Sequence, residues 1–270
     1  MDLHLPPTVC FRVTRYCNAR CGFCLAPPDG AHPPADILKR RLEWLDAQGV
    51  RIIHFCGGEP TIHPALPELL AHVQAHGGGS RMTTNGIAMN RPLLEALRAA
   101  GTRVKVSLHG DRAHHDAMVG RAAFDQATEH LRALLSAGVP TSVQTTVVAG
   151  GEWVLDWMAD FCLTEKIRKL SILPFIPRGS GFRTKVDYGL TPAARTQLHE
   201  QVLRKRRTLL GRLDVRWLDF SARPVHVVEA DGRVVLERAS ESMDTLLFTI
   251  PEDAPPRKRI PIRSLALSGP

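Results

Sequence analysis

Thr8-Val9-Cys10-Phe11-Arg12-Val13-Thr14 is a β-rich run that feeds directly into Arg15-Tyr16-Cys17-Asn18-Ala19-Arg20-Cys21-Gly22-Phe23-Cys24. A strand that opens into a loop with C-x3-C-x2-C spacing puts three thiols within eight residues. That is close enough for them to converge on one soft metal centre. Beyond this loop the chain alternates. Residues 36–48 carry apolar side chains at helical spacing, with Asp36 as the expected cap and Gly49 as the stop. Strands are expected at 51–55, 81–84, 103–108, 141–148, 169–175 and 214–220. Helices are expected at 64–76, 91–100, 124–137, 153–164 and 191–210, the last with Thr191 as cap before Pro192. This rhythm predicts βαβ crossovers and a parallel sheet, hence an α/β fold. Periodicity alone leaves a barrel and an open doubly wound sheet equally open. Both place their chemistry at the C-terminal ends of the strands.

From Pro224 the pattern changes. Two short apolar runs, 225–229 and 233–237, flank Asp231-Gly232, which predicts a hairpin with a type I′ turn. Residues 251–270 are basic and proline-rich and read as an extended tail.

The chain has 270 residues, 44% of them hydrophobic and 23% charged, which excludes wholesale disorder and collagen-like repeats. No apolar run reaches membrane-spanning length, and residues 1–7 show neither a basic nor an apolar leader pattern, so the expected location is the cytoplasm. There the six cysteines are reduced thiols or metal ligands. A formal charge of +8 suits an anionic partner. Arg204-Lys205-Arg206-Arg207 ends an expected helix and has no interleaved aromatic residues, so it reads as a solvated face and nucleic acid is not the expected partner.

Structural zinc wants four protein ligands, commonly two cysteine pairs, and no second pair is present. Cys10, Cys56 and Cys162 stand alone and are expected to pack as small hydrophobes. An iron–sulfur cube held by three cysteines leaves one iron open for a ligand.

The segment from Cys17 to Cys24, with Phe23 before the third cysteine, resembles the signature of radical S-adenosylmethionine (SAM) enzymes. Gly57-Gly58-Glu59-Pro60 ends the second strand, Thr83-Thr84-Asn85-Gly86 the third and Ser107-Leu108-His109-Gly110 the fourth. These are similar to motifs of the branch that includes molybdenum cofactor enzyme A and peptide-maturing enzymes. The resemblance implies a partial (β/α)6 TIM-like barrel over residues 1–220, to which the sequence pattern adds a C-terminal β-hairpin extension over 221–250 and the extended tail over 251–270. It implies that Cys17, Cys21 and Cys24 hold a [4Fe-4S] cluster whose open iron binds SAM. An external electron donor such as flavodoxin would drive cleavage to a 5′-deoxyadenosyl radical. Gly57 and Gly58 would let the backbone approach the cofactor, and Glu59 would pair with its ammonium. Phe23 would lie near the adenine, and Asn85, Ser107 and Arg121 would contact ribose and carboxylate.

No cysteine follows Cys162, so no auxiliary cluster and no internal electron sink are expected. The expected substrate is a small anionic metabolite met by Tyr16, His109, Arg178 and Arg183. No catalytic side chain is assigned. Residues 7–16 and the Ala222-Arg223-Pro224 lead into the hairpin also resemble compact enzymes of nucleoside-antibiotic pathways. That points to radical decarboxylation of a nucleoside uronic acid of the cytosylglucuronate type. The alternatives are a peptide-modifying radical SAM enzyme and a zinc-knuckle RNA-binding protein. Iron, sulfide and SAM cleavage separate the last from the others.

Overall fold

Seven strands of the alternating pattern lie side by side in chain order, every neighbour parallel: β1 (Thr8–Thr14), β2 (Ile52–Gly57), β3 (Gly79–Thr84), β4 (Arg103–Ser107), β5 (Thr141–Val147), β6 (Lys169–Pro174) and β7 (Asp214–Trp217). The crossovers are helices: α1 (Ala35–Ala47), α2 (Leu66–Ala75), α3 (Arg91–Ala99), α4 (Arg112–Val119) with α5 (Phe124–Ser136), α6 (Val154–Thr164), and α7 (Lys185–Tyr188) with α8 (Pro192–Thr208). This computed structural model describes residues 5–221 and 223–253. Ala222 and most of the expected tail lie outside the described residues.

The strands alternate because their two faces meet different surroundings. Val9, Phe11 and Val13 of β1, and Val104 and Val106 of β4, are buried in the apolar core. Their neighbours Cys10, Arg12 and Lys105 line a cavity inside the curved sheet. A parallel sheet covered by helices on both faces reads as continuous apolar strands. Here one face of β1 to β5 turns polar side chains such as Arg12, His54, Thr83, Lys105 and Gln144 to the lumen, so these strands read as alternating.

The sheet does not close. On the far side of β1 the chain adds β8 (Val225–Val228), parallel to β1, then β9 (Arg233–Glu237) and β10 (Thr245–Thr249), each antiparallel to its predecessor. Among the described residues β7 and β10 are the free edges. Buried Arg41 of α1 donates to the Ala230 carbonyl at 2.6 Å, and Trp44 packs on Phe248 with ring centroids 5.4 Å apart, so the extension is fastened to the first helix.

The structure corrects two local expectations. Gly232 has φ of +94° while Asp231 does not have a positive φ, so the hairpin uses a turn closed by Gly232 N–H to Glu229 O (2.9 Å) and is not type I′. Asp36 sits inside the first turn of α1, where it pairs with Arg40, and the N-cap is Pro34. His114 and His115 lie on α4, and His115 is fully buried. The third extension strand, β10, was not anticipated. No helix among the described residues is long and apolar enough to cross a membrane.

Candidate active site

The three cysteines follow β1 in a loop that backbone contacts hold on several sides. Arg20 N–H donates to Val119 O at the end of α4 (2.9 Å), and Ser180 N–H donates to Cys24 O (2.9 Å). Thr184 Oγ1 donates to Gly22 O at 2.8 Å. Arg121 reaches back to donate to Asn18 O at 2.8 Å. Asn85 Nδ2 donates to Asn18 Oδ1 at 2.7 Å and lies 4.0 Å from Cys17 Sγ. Arg121 and Asn85, expected to touch a cofactor, therefore position the cysteine loop in this structure.

The glycine motif serves the same loop. A β-carbon on Gly58 would sit 1.9 Å from Tyr16 O, and one on Gly57 would sit 2.3 Å from Thr14 O. Gly58 N–H donates to Thr14 O and Glu59 N–H to Tyr16 O, both at 2.8 Å. The close approach that calls for glycine is thus made by the chain's own backbone as it enters the cysteine loop. Glu59 is only 2% exposed. Its Oε1 accepts from Thr61 N–H, Thr61 Oγ1 and Thr84 Oγ1 (3.1, 2.7 and 2.6 Å), and Oε2 accepts from Asn85 N–H at 2.7 Å. This knot ties the end of β2 to the end of β3. Burial pushes the Glu59 carboxyl above its usual range, and the four hydrogen bonds pull it back.

Burial raises the cysteine thiols: Cys17 to about 11, Cys21 to about 12, and Cys24 upward. For Cys21 the neighbouring Cys24 and Cys17 add to the shift, because three thiolates repel one another. Such a set becomes a set of thiolates when it binds an electrophilic metal. Three crowded, desolvated sulfurs fit the corner ligands of an iron–sulfur cube.

Cys21, Cys24 and Phe23 form part of the wall of a cavity of about 290 Å³ inside the barrel. Phe23 packs edge-on to His109, with centroids 4.7 Å apart. His109 is buried, and its Nδ1 accepts from Thr146 N–H at 3.1 Å. Burial, with His115 and His114 nearby, holds it well below the usual histidine range and therefore neutral. Ser107 Oγ accepts from Gln144 Nε2 at 3.0 Å. Tyr16 is 50% exposed and stacks near His32, and Arg183 is exposed.

Arg178 lines the cavity, but its charge is already matched. Asp244 accepts from both terminal nitrogens (2.8 and 2.7 Å), and Glu237 accepts at 2.9 Å. Arg12 is likewise held between Glu229 and Glu237. Gly179, next to Arg178, packs on the cysteine loop. A β-carbon on Gly179 would lie 2.5 Å from Cys24 O.

Two lumen features escaped the sequence reading. Lys105 on β4 lines the cavity and makes no ion pair among the described residues. Burial, then Lys169, lowers its ammonium to about 8. Cys10 and Cys56 also line the cavity instead of packing as core. Their thiols hydrogen-bond each other, which draws Cys10 down and pushes Cys56 up. Cys162 is buried in the core as expected. The polar alternation of Arg103, Lys105 and Ser107 was the available signal for Lys105.

A family profile described as "Radical SAM superfamily" matches residues 11–159. The chain is 28% identical over 209 residues to Fe-coproporphyrin III synthase of Methanosarcina barkeri, covering 75% of this chain and 52% of that protein. It is 33% identical over 145 residues to GTP 3′,8-cyclase of Chlorobaculum tepidum, covering 52% and 44%. The chain thus spans about half the length of these curated relatives. Among solved structures, Streptococcus suis SuiB bound to its precursor peptide SuiA superposes with a TM-score of 0.75 at 18% identity, over 86% of this chain and 60% of that one.

Proposed function

The chain belongs to the radical SAM superfamily, in the branch related to molybdenum cofactor enzyme A, and from this we propose an enzyme that cleaves SAM reductively and acts on a small anionic metabolite. Cys17, Cys21 and Cys24 hold the [4Fe-4S] cluster in this reading. With SAM, the cluster supplies a 5′-deoxyadenosyl radical able to take a hydrogen atom from carbon.

The observation that carries the reading is the cavity itself. Two of the three cysteines lie on its wall at the C-terminal side of β1, and Lys105 lines the same cavity with no carboxylate partner among the described residues. About 290 Å³ suits a small molecule. Arg178 and Arg12 are paired with carboxylates, which leaves Lys105 and Arg238 as the lining cations without an ion pair among the described residues, and Lys105, on the strand face of the lumen, is our choice to meet its anionic group. Gln144, Thr83 and His54 on the same wall offer hydrogen bonds to hydroxyls. Phe23 and neutral His109 present a flat, apolar surface beside the cysteines.

For the reaction, we favour decarboxylation of a sugar acid such as a nucleoside uronic acid. A hydrogen atom is removed next to the carboxylate-bearing carbon and carbon dioxide leaves. One electron from the external donor and two protons then complete the product. The test is a nucleoside uronic acid deuterated beside that carbon, incubated anaerobically with reconstituted protein, SAM and dithionite. Deuterium in 5′-deoxyadenosine together with released carbon dioxide is the expected result. Unlabelled 5′-deoxyadenosine and intact uronic acid would reject this substrate class, and tight binding of a precursor peptide would move the assignment to peptide modification.

A further inference from the structure

Outside the lumen, two histidines and a glutamate come together at the seam between α1 and α2, near the start of β2. His72 and His76 are one turn apart on α2, with ring centroids 4.4 Å apart. Glu43 of α1 faces them, its Oε1 3.5 Å from His72 Nε2. One donor atom from each residue lies within 4.8 Å of the other two. A tetrahedral zinc with bonds of about 2.1 Å needs donors about 3.4 Å apart. The Glu43–His72 spacing meets this already, and small side-chain rotations bring in His76.

Three further observations point to a cation. His76 Nδ1 lies 2.8 Å from the His72 carbonyl oxygen, which can only accept, so Nδ1 carries the proton and Nε2 keeps its lone pair. This is the orientation that second-shell contacts impose on metal-binding histidines. His72 Nε2 is shielded from solvent and has no hydrogen-bond partner among the described residues. A cavity of about 20 Å³, room for one water or ion, opens among Glu43, Asp46, His72 and His76.

We propose that Glu43, His72 and His76 form a second metal site, separate from the cysteine loop, that takes a zinc-class divalent cation and clips α1 to α2. Two imidazoles and one carboxylate suit zinc better than magnesium or calcium, which prefer all-oxygen shells. The clip joins the helix that follows the cysteine loop to the helix that follows the GGEP turn.

The test is calorimetric titration of zinc chloride into cluster-loaded protein saturated with SAM, so that the cysteine site is occupied. One zinc per chain is expected beyond the cluster iron, with a rise of about 5 °C in the unfolding midpoint. Glu43→Gln and His76→Gln should each weaken uptake at least about tenfold, and His72→Gln/His76→Gln should abolish it, with SAM cleavage unchanged. His76 is exposed, so its single variant serves if the double variant does not fold. No zinc uptake by the parent, or equal affinity in the variants, would overturn the site.

Discussion

At Gly58 a single added carbon would meet the Tyr16 carbonyl at 1.9 Å, and because that contact is with backbone, one of two strand-end loops must move. Gly58→Ala should therefore lower stability by about 3 kcal/mol in a denaturant titration. A variant as stable as the parent would contradict the backbone packing described. Lys105 gives a prediction of the opposite sign. Its folded pKa of about 8 lies below the unfolded value of 10.5. Between these values the unfolded chain binds the extra proton, so stability rises with pH there. Lys105→Met should be more stable than the parent by about 3 kcal/mol at pH 7, with the gap closing by about pH 10.5. It should also raise KM for the proposed anionic substrate about tenfold or more, which substrate titration checks. The cysteines were legible because their chemistry resides in their spacing. Lys105 was legible only as a lumen-facing position, since whether a cation is paired depends on residues distant in sequence. The pairing of Arg178 was illegible for the same reason: its partners Glu237 and Asp244 lie 59 and 66 residues further on.

Among the elements, the long periodic ones were read to within a few residues, and β1 matched at both ends. What escaped was short. Helix α4 spans eight residues, too few for a period, though Asp111 as cap and Gly120 as left-handed stop bracket it. Strand β10 has five residues, and its burial depends on Trp44 of a helix 200 residues earlier. The hairpin was found but its turn misjudged, because Asp-Gly also serves turns in which only the glycine takes positive φ. The Arg178–Asp244 pair fastens the loop after β6 to the extension. Arg178→Gln should cost about 3 kcal/mol by leaving Asp244 and Glu237 uncompensated, and a double-mutant cycle with Asp244→Asn should show strong coupling. Additive losses would mean that the pair contributes nothing as a pair.

For the molecule as a whole, the parallel sheet and its active end were readable from alternation, while the choice of an unclosed barrel came from the resemblance and is what the strand order shows. The sequence motifs cluster around one object, the cysteine loop, because the ends of β2 and β3, the end of α4 and the loop after β6 all hydrogen-bond to it or brace it. That convergence is the physical reason for claiming a cluster there. The most direct test is anaerobic reconstitution followed by iron and sulfide analysis and a SAM cleavage assay under dithionite. The account predicts about four irons and four sulfides per chain, 5′-deoxyadenosine and methionine as products, and loss of both cluster and cleavage in Cys17→Ala/Cys21→Ala/Cys24→Ala. A protein whose three cysteines bind one zinc, take up no iron and leave SAM intact would contradict it.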